Sequence, residues 1–90
     1  MSYKLELKPK AIKSLKAIDV KSRRLIAAFL DELQQCDNPK EFKDVKKLAG
    51  VEDGYRWRVG VYRIIGTVKD NVVTITIFRI GHRKDVYRRL

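Results

Sequence analysis

The stretch Tyr55-Arg56-Trp57-Arg58-Val59-Gly60-Val61-Tyr62-Arg63-Ile64 decides how the chain folds. With the two-residue period of a strand, Tyr55, Trp57 and Val59 point to one face and Arg56 and Arg58 to the other. Gly60 permits a tight reversal, and Tyr62-Arg63-Ile64-Ile65 begins a second strand running back beside the first. Up to three guanidinium groups thus converge on one exposed surface while aromatics anchor the opposite one. Like charges on neighbouring strands repel, so three arginines do not serve the stability of a sheet. They suit a grip on phosphates, because each guanidinium is a planar fork of donors that stays charged.

Downstream, the second strand runs to about Val68, and Lys69-Asp70-Asn71 makes a turn. Residues 72–80, rich in Val, Ile and Thr, read as a third strand, central in the sheet. Upstream, residues 40–54 read as a long polar connection that Phe42, Val45 and Leu48 pin to the core, with a turn of helix at most. Asp37-Asn38-Pro39 stops a helix that begins at an N-cap, Asp19 or Ser22, and runs to about Gln35. Its apolar stripe is Leu25, Phe29 and Leu33 with Ile26 and Leu30 beside them. A shorter basic helix starts at Pro9, with Ala11, Ile12, Leu15 and Ile18 at helical spacing. Residues 2–7 alternate, with Tyr3, Leu5 and Leu7 on one face, and read as a half-buried strand. Residues 81–90 close the chain as a short basic tail of one or two helical turns. The predicted class is α+β: an N-terminal strand, a helical hairpin, then a three-stranded antiparallel meander, with the helices on one face of the sheet.

Ninety residues make one small domain, residues 1–90, with room for one core. The net charge of +10 is unevenly spread. Residues 1–54 carry a balance of +3 and residues 55–90 a balance of +7, so the basic excess sits on the strands and the tail. Nucleic acid is the leading partner for such a surface, ahead of an anionic membrane or an acidic protein. The lone Cys36 makes no internal disulfide and no metal cluster with the single histidine, and reads as a small apolar residue late in a helix. No apolar signal region or bilayer-length segment is present in the sequence, so a cytoplasmic protein without membrane attachment is expected.

The ordered set Leu48-Ala49-Gly50, Tyr55 to Gly60, Tyr62-Arg63-Ile64, Gly81-His82-Arg83 and Val86-Tyr87 resembles the RelE branch of the RelE/ParE toxin superfamily across essentially the whole chain. The resemblance implies a RelE/ParE-like fold and the toxin of a toxin–antitoxin pair. It implies an endoribonuclease (an mRNA interferase) that cuts messenger RNA in the ribosomal A site and is inhibited when a cognate antitoxin wraps around it in a hetero-oligomer. It also implies metal-independent cleavage without a cofactor: the RNA 2′-hydroxyl attacks the adjacent phosphate and leaves a free 5′-hydroxyl. Its catalytic positions fall on Arg56, Arg58, Arg63, Arg83 and Tyr87. The best-known member carries lysines where this chain has Arg56 and Arg58. Arginine stays protonated, so these two neutralise phosphate charge rather than accept a proton.

Transesterification within RNA needs in-line positioning, charge stabilisation on the phosphorane and proton transfer at both ends. Arg63 and Arg83 are candidates for the second task, against a blander reading as a solvated face or as salt-bridge partners of Asp85 or Glu52. Tyr87 is a candidate for base stacking or proton transfer, or else packs the tail onto the sheet. His82 is a weaker candidate base, because a lone histidine after a strand is more often structural. Tyr55 and Trp57 alternate away from the arginines and read as core. Lys46 and Lys47 resemble loop-edge phosphate contacts, and Lys10, Lys13 and Lys16 suit the ribosomal RNA surface or simply face solvent. The competing reading is a ParE-like toxin that poisons DNA gyrase on the same fold without cleaving RNA; a third is a nucleic-acid-binding module with no catalysis.

Overall fold

Strand β1 (Lys4–Leu7) leads into helices α1 (Pro9–Ala17) and α2 (Val20–Gln35), and four strands complete the chain: β2 (Lys46–Lys47), β3 (Gly54–Val59), β4 (Tyr62–Lys69) and β5 (Thr74–His82). The computed structural model describes residues 2–82. The strands form one sheet in the order β1-β5-β4-β3-β2. Neighbours are antiparallel except β1, which runs parallel to β5 with Leu5 opposite Ile75 and Leu7 opposite Ile77. The expected α+β class and meander are both present, with the helices on one face.

Both helices start where the local chemistry dictates. Pro9 fills the first turn of α1, where its missing N–H costs nothing. Asp19 is the N-cap of α2: its carboxylate accepts from the Ser22 N–H at 3.0 Å, which also holds the carboxyl below its usual range. The helices cover the sheet with Ala11, Ile26, Phe29, Leu30 and Leu33, against Trp57, Ile64, Val68, Ile75, Ile77 and Ile80. The Trp57 indole N–H donates to the Pro39 carbonyl at 3.0 Å, satisfying the one polar atom of the largest buried side chain.

Several expectations need correction. Leu25 is 58% exposed, because the core-facing arc of α2 is Ile26, Phe29, Leu30 and Leu33, and a residue one step back lies about 100° round the helix. Ile12 likewise lies outside the buried stripe of α1. Residues 40–54 are not a plain connection: a 3-10 turn at Pro39–Glu41 precedes the short edge strand β2, which pairs Lys46 with Arg56 and Lys47 with Tyr55. The third long strand starts two residues late, because Asp70–Val72 form a 3-10 turn and Val73 is left-handed at φ 47°. That strand also extends through His82, so Gly81 and His82 belong to β5 and not to the tail. It lies between β1 and β4, while β4 takes the middle of the sheet.

Two details set the shape of the sheet. Between β4 and β5 the register slips: Ile65 pairs with Arg79 but Gly66 pairs with Ile77, leaving Phe78 as the extra residue of a bulge. A side chain at Gly66 would bring a Cβ within 2.3 Å of the Thr76 carbonyl oxygen, so the backbones approach closely there. At the far end, the Tyr3 hydroxyl donates to one Asp70 oxygen at 2.7 Å and Lys40 pairs with the other. The pin ties together β1, the first 3-10 turn and the turn before β5.

Candidate functional site

Trp57 fixes the site. With its ring buried on the helix side and paired across the ladder with Ile64, alternation along β3 aims Arg56 and Arg58 at the opposite face. Gly60, at φ 59°, takes the left-handed conformation at the hairpin turn and brings β4 back in register. Arg58 then lies directly opposite Arg63, and Arg63 opposite Gly81. Two residues along the strands, Lys46, Arg56, Ile65 and Arg79 form a second row across β2, β3, β4 and β5. Five cations therefore share the sheet face that the helices leave open.

Their environments differ. Arg58 is exposed and Arg56 half-buried. Arg63 is only 5% exposed, and its Nε–H is buried without an acceptor. The expectation of an exposed Arg63 is thus corrected: in the middle strand, opposite Arg58 and Gly81, it is withdrawn from solvent. Among the described residues the ion pairs are Lys4–Glu6, Lys40–Asp70, Lys43–Glu32 and Lys69–Asp53, so no described acid pairs with any of these five cations. Glu52, a candidate partner on sequence grounds, does not pair with Arg63. A cleft of about 280 Å³ opens beside Arg56 and Arg58, lined also by Lys46, Val45 and Asp44, the one acid at its rim. A larger cleft, about 490 Å³ along residues 47–52, has a mostly apolar lining and no group of converging cations. The chemistry favours the smaller one.

A buried Nε–H without an acceptor, on a guanidinium that faces a second guanidinium, opposes folding through both the unsatisfied donor and the like-charge pair. An anion bridging the two cancels both costs. Arginines do not accept protons, so the array can bind and stabilise negative charge but cannot serve as base. Among the described residues no group of three or more His, Cys, Asp or Glu could hold a metal ion.

Not every candidate residue joins this face. His82 pairs with Tyr62, whose partner Val59 is on the helix side, so His82 ends on the side of the sheet away from the arginines. Its ring meets Tyr62 edge-on, with centroids 6.2 Å apart. Lys10, Lys13 and Lys16 are exposed on α1, in the helical layer, on the other side of the sheet from the arginines. Lys46 joins the arginine face, whereas Lys47, opposite Tyr55, does not. Arg83 and Tyr87 lie outside the described residues. Arg79 was missed on sequence grounds; the signal available was Gly66, an isolated glycine in a strand, which marks a bulge and a change of phase.

Comparison with known proteins follows the same lines. The profile of the ParE toxin of type II toxin–antitoxin system (parDE) matches residues 5–87. Toxin RelE3 of Methanocaldococcus jannaschii is 36% identical over 77 residues, spanning 84% of this chain and 85% of that protein. The fold is similar to that in the archaeal RelE–RelB complex from Pyrococcus horikoshii, with a TM-score of 0.79 and 31% identity over 96% of this chain and 100% of the other. The RelB–RelE antitoxin–toxin complex from Methanococcus jannaschii gives a TM-score of 0.76, also at 31% identity, over 92% and 95% of the two chains.

Proposed function

Because the chain belongs to the ParE toxin family of type II toxin–antitoxin systems, and is RelE-like within it, we propose that it is a ribosome-dependent endoribonuclease held in check by a RelB-like antitoxin. The observation that carries this reading is Arg63, buried, lacking an acceptor at Nε and set opposite Arg58 in a face of five cations.

The reaction is an internal displacement at phosphorus. The 2′-oxygen forms a bond to the neighbouring phosphorus as its proton leaves, and a phosphorane with two negative charges develops. The bond to the 5′-oxygen then breaks, and that oxygen takes up a proton, giving a 2′,3′-cyclic phosphate and a 5′-hydroxyl. Arg63 and Arg58 neutralise the phosphorane, which gains charge relative to the diester and is therefore stabilised more. Arg56 and Lys46 hold the neighbouring backbone. By family resemblance Arg83 and Tyr87 also belong to the catalytic set, Tyr87 for proton transfer or stacking. The protein works in the cytoplasm, where translating ribosomes are, and Lys10, Lys13 and Lys16 on the opposite side contact ribosomal RNA.

The antitoxin is the second partner, in a hetero-oligomer, and the charge of the arginine face makes its contacts largely electrostatic. Isothermal titration with the cognate antitoxin at two salt concentrations checks this; equal affinity at both rules out a charge-dominated interface.

The family description, which names ParE, favours a second reading: a gyrase poison on the same fold. One experiment separates the two. Purified protein is incubated with ribosomes programmed with a defined messenger, and in parallel with gyrase and supercoiled DNA. Cleavage in the A site with 5′-hydroxyl ends is the expected result. An intact messenger together with trapped gyrase–DNA complexes replaces the first reading with the second.

A further inference from the structure

The bulge in β5 re-aims two side chains. Ile77 points into the helix-side core, so Phe78 points to the arginine face, and the slipped register sends Arg79 to that face as well. Phe78 is half-buried and is not among the residues packed on the helix-side core. Its ring instead shares a face with Arg56, Arg79 and Ile65, the last fully buried. A regular strand would have put only one of the two there.

An aromatic ring within a field of guanidinium groups is the combination that binds single-stranded RNA, with a base stacked on the ring and phosphates on the cations. The spacing fits too. The Arg58–Arg63 row and the Arg56–Arg79 row lie two residues apart along the strands, roughly 6.5–7 Å. That is comparable to the separation of successive phosphates in an extended strand. We propose that Phe78 and Arg79 form a nucleotide subsite beside the Arg58–Arg63 pair, Phe78 stacking on one base of the bound RNA and Arg79 holding the phosphate next to the one cleaved.

The subsite rests on the nuclease reading, and its test keeps the two apart. The probe is a messenger carrying 2-aminopurine at one position of the A-site codon in turn, with 2′-O-methyl riboses that block cleavage, bound to ribosomes. Stacking quenches 2-aminopurine fluorescence. Wild type and Phe78→Tyr quench a single position; Phe78→Leu loses that quench and binds about tenfold or more weakly. Arg79→Gln keeps the quench but flattens the dependence of log affinity on log salt by about one unit. Thermal melting establishes that each variant is folded, and the wild-type quench and the Arg79→Gln salt slope decide the matter even if Phe78→Leu is not. Quenching unchanged in Phe78→Leu, or wild-type binding with no quench at any position, overturns the subsite and leaves the nuclease intact. Wild type that fails to bind programmed ribosomes overturns both.

Discussion

Replacing Arg63 with methionine should stabilise this protein while disabling it. Arg63 is 5% exposed, its Nε–H has no acceptor, and its cross-strand neighbour is Arg58. An unsatisfied buried donor costs about 1–3 kcal/mol, and a like-charge pair facing across two strands adds up to about 1 kcal/mol. Methionine keeps an unbranched stem of similar reach, so the packing of the methylenes survives while the charge and the orphan donor go. The expected gain is about 1–3 kcal/mol, which for a chain of this size raises the melting temperature by about 5–20 °C. Arg63→Ala does not share the gain, because truncation leaves a cavity. Single-turnover cleavage of ribosome-bound messenger should meanwhile fall about a hundredfold or more in both variants, the loss expected for one well-placed donor to a developing oxyanion. Urea and thermal melts, with and without added phosphate, provide the assay. Phosphate should raise the melting temperature of wild type more than that of Arg63→Met, since only wild type keeps the Arg58–Arg63 pair. A methionine variant less stable than wild type by more than about 1 kcal/mol refutes the reasoning, because the guanidinium would then be stabilising the fold rather than waiting for a ligand.

Three further outcomes follow from the packing. Gly66→Ala places a Cβ against the Thr76 carbonyl, so the urea midpoint should drop by the equivalent of about 1–3 kcal/mol or more, with the bulge disrupted. Trp57→Phe strands the Pro39 carbonyl and should cost about 1–3 kcal/mol by the same measurement, before any loss of packing is counted. The Tyr3–Asp70–Lys40 pin sets a pH window. Hydrogen bonds from Lys40 and Tyr3 lower the Asp70 carboxyl, so its contribution is present above the ordinary aspartate range and lost as acid takes pH down through the folded value. Bonding to Asp70 raises both Tyr3 and Lys40, so their contributions hold below the ordinary tyrosine and lysine values and are lost as pH rises through the folded ones. The pin's own contribution to stability against urea should thus be constant between roughly pH 4 and pH 10 and fall outside it. In Asp70→Asn both falls should be shallower; unchanged slopes would mean that the pin contributes nothing.

The hairpin was readable because strand alternation is a strict rule: once Trp57 is assigned to the core, Arg56 and Arg58 have only the other face to occupy. The caps at Pro9 and Asp19 were readable for a similar reason, each following from the chemistry of one residue. What escaped reading were features set by partners distant in sequence. A strand as short as Lys46–Lys47 has no periodicity of its own and is defined only by β3 beside it. The burial of Arg63 is a tertiary property, which no local pattern encodes. Arg79 and Phe78 escaped because a bulge shifts the phase of alternation, so a period carried through β5 assigns them wrongly. Leu25 misled because helical spacing fixes the width of a stripe more tightly than it fixes its direction. His82 had the right residue type but the wrong parity.

The parallel pairing of β1 with β5 also governs when the sheet can be completed during synthesis. Tyr3 and its acceptor Asp70 are 67 residues apart, and β1 finds its hydrogen-bonding partner only in the last strand of the sheet. The first strand to emerge therefore waits, unpaired in the sheet, until β5 has been made. Closing so long a loop carries its entropic cost before any reward arrives, which places the rate-limiting event late. A nascent chain cannot assemble the sheet early, and fragments cut short before β5 cannot complete it. The topology thus acts as a timer, holding back completion of the sheet until β5 itself has been made.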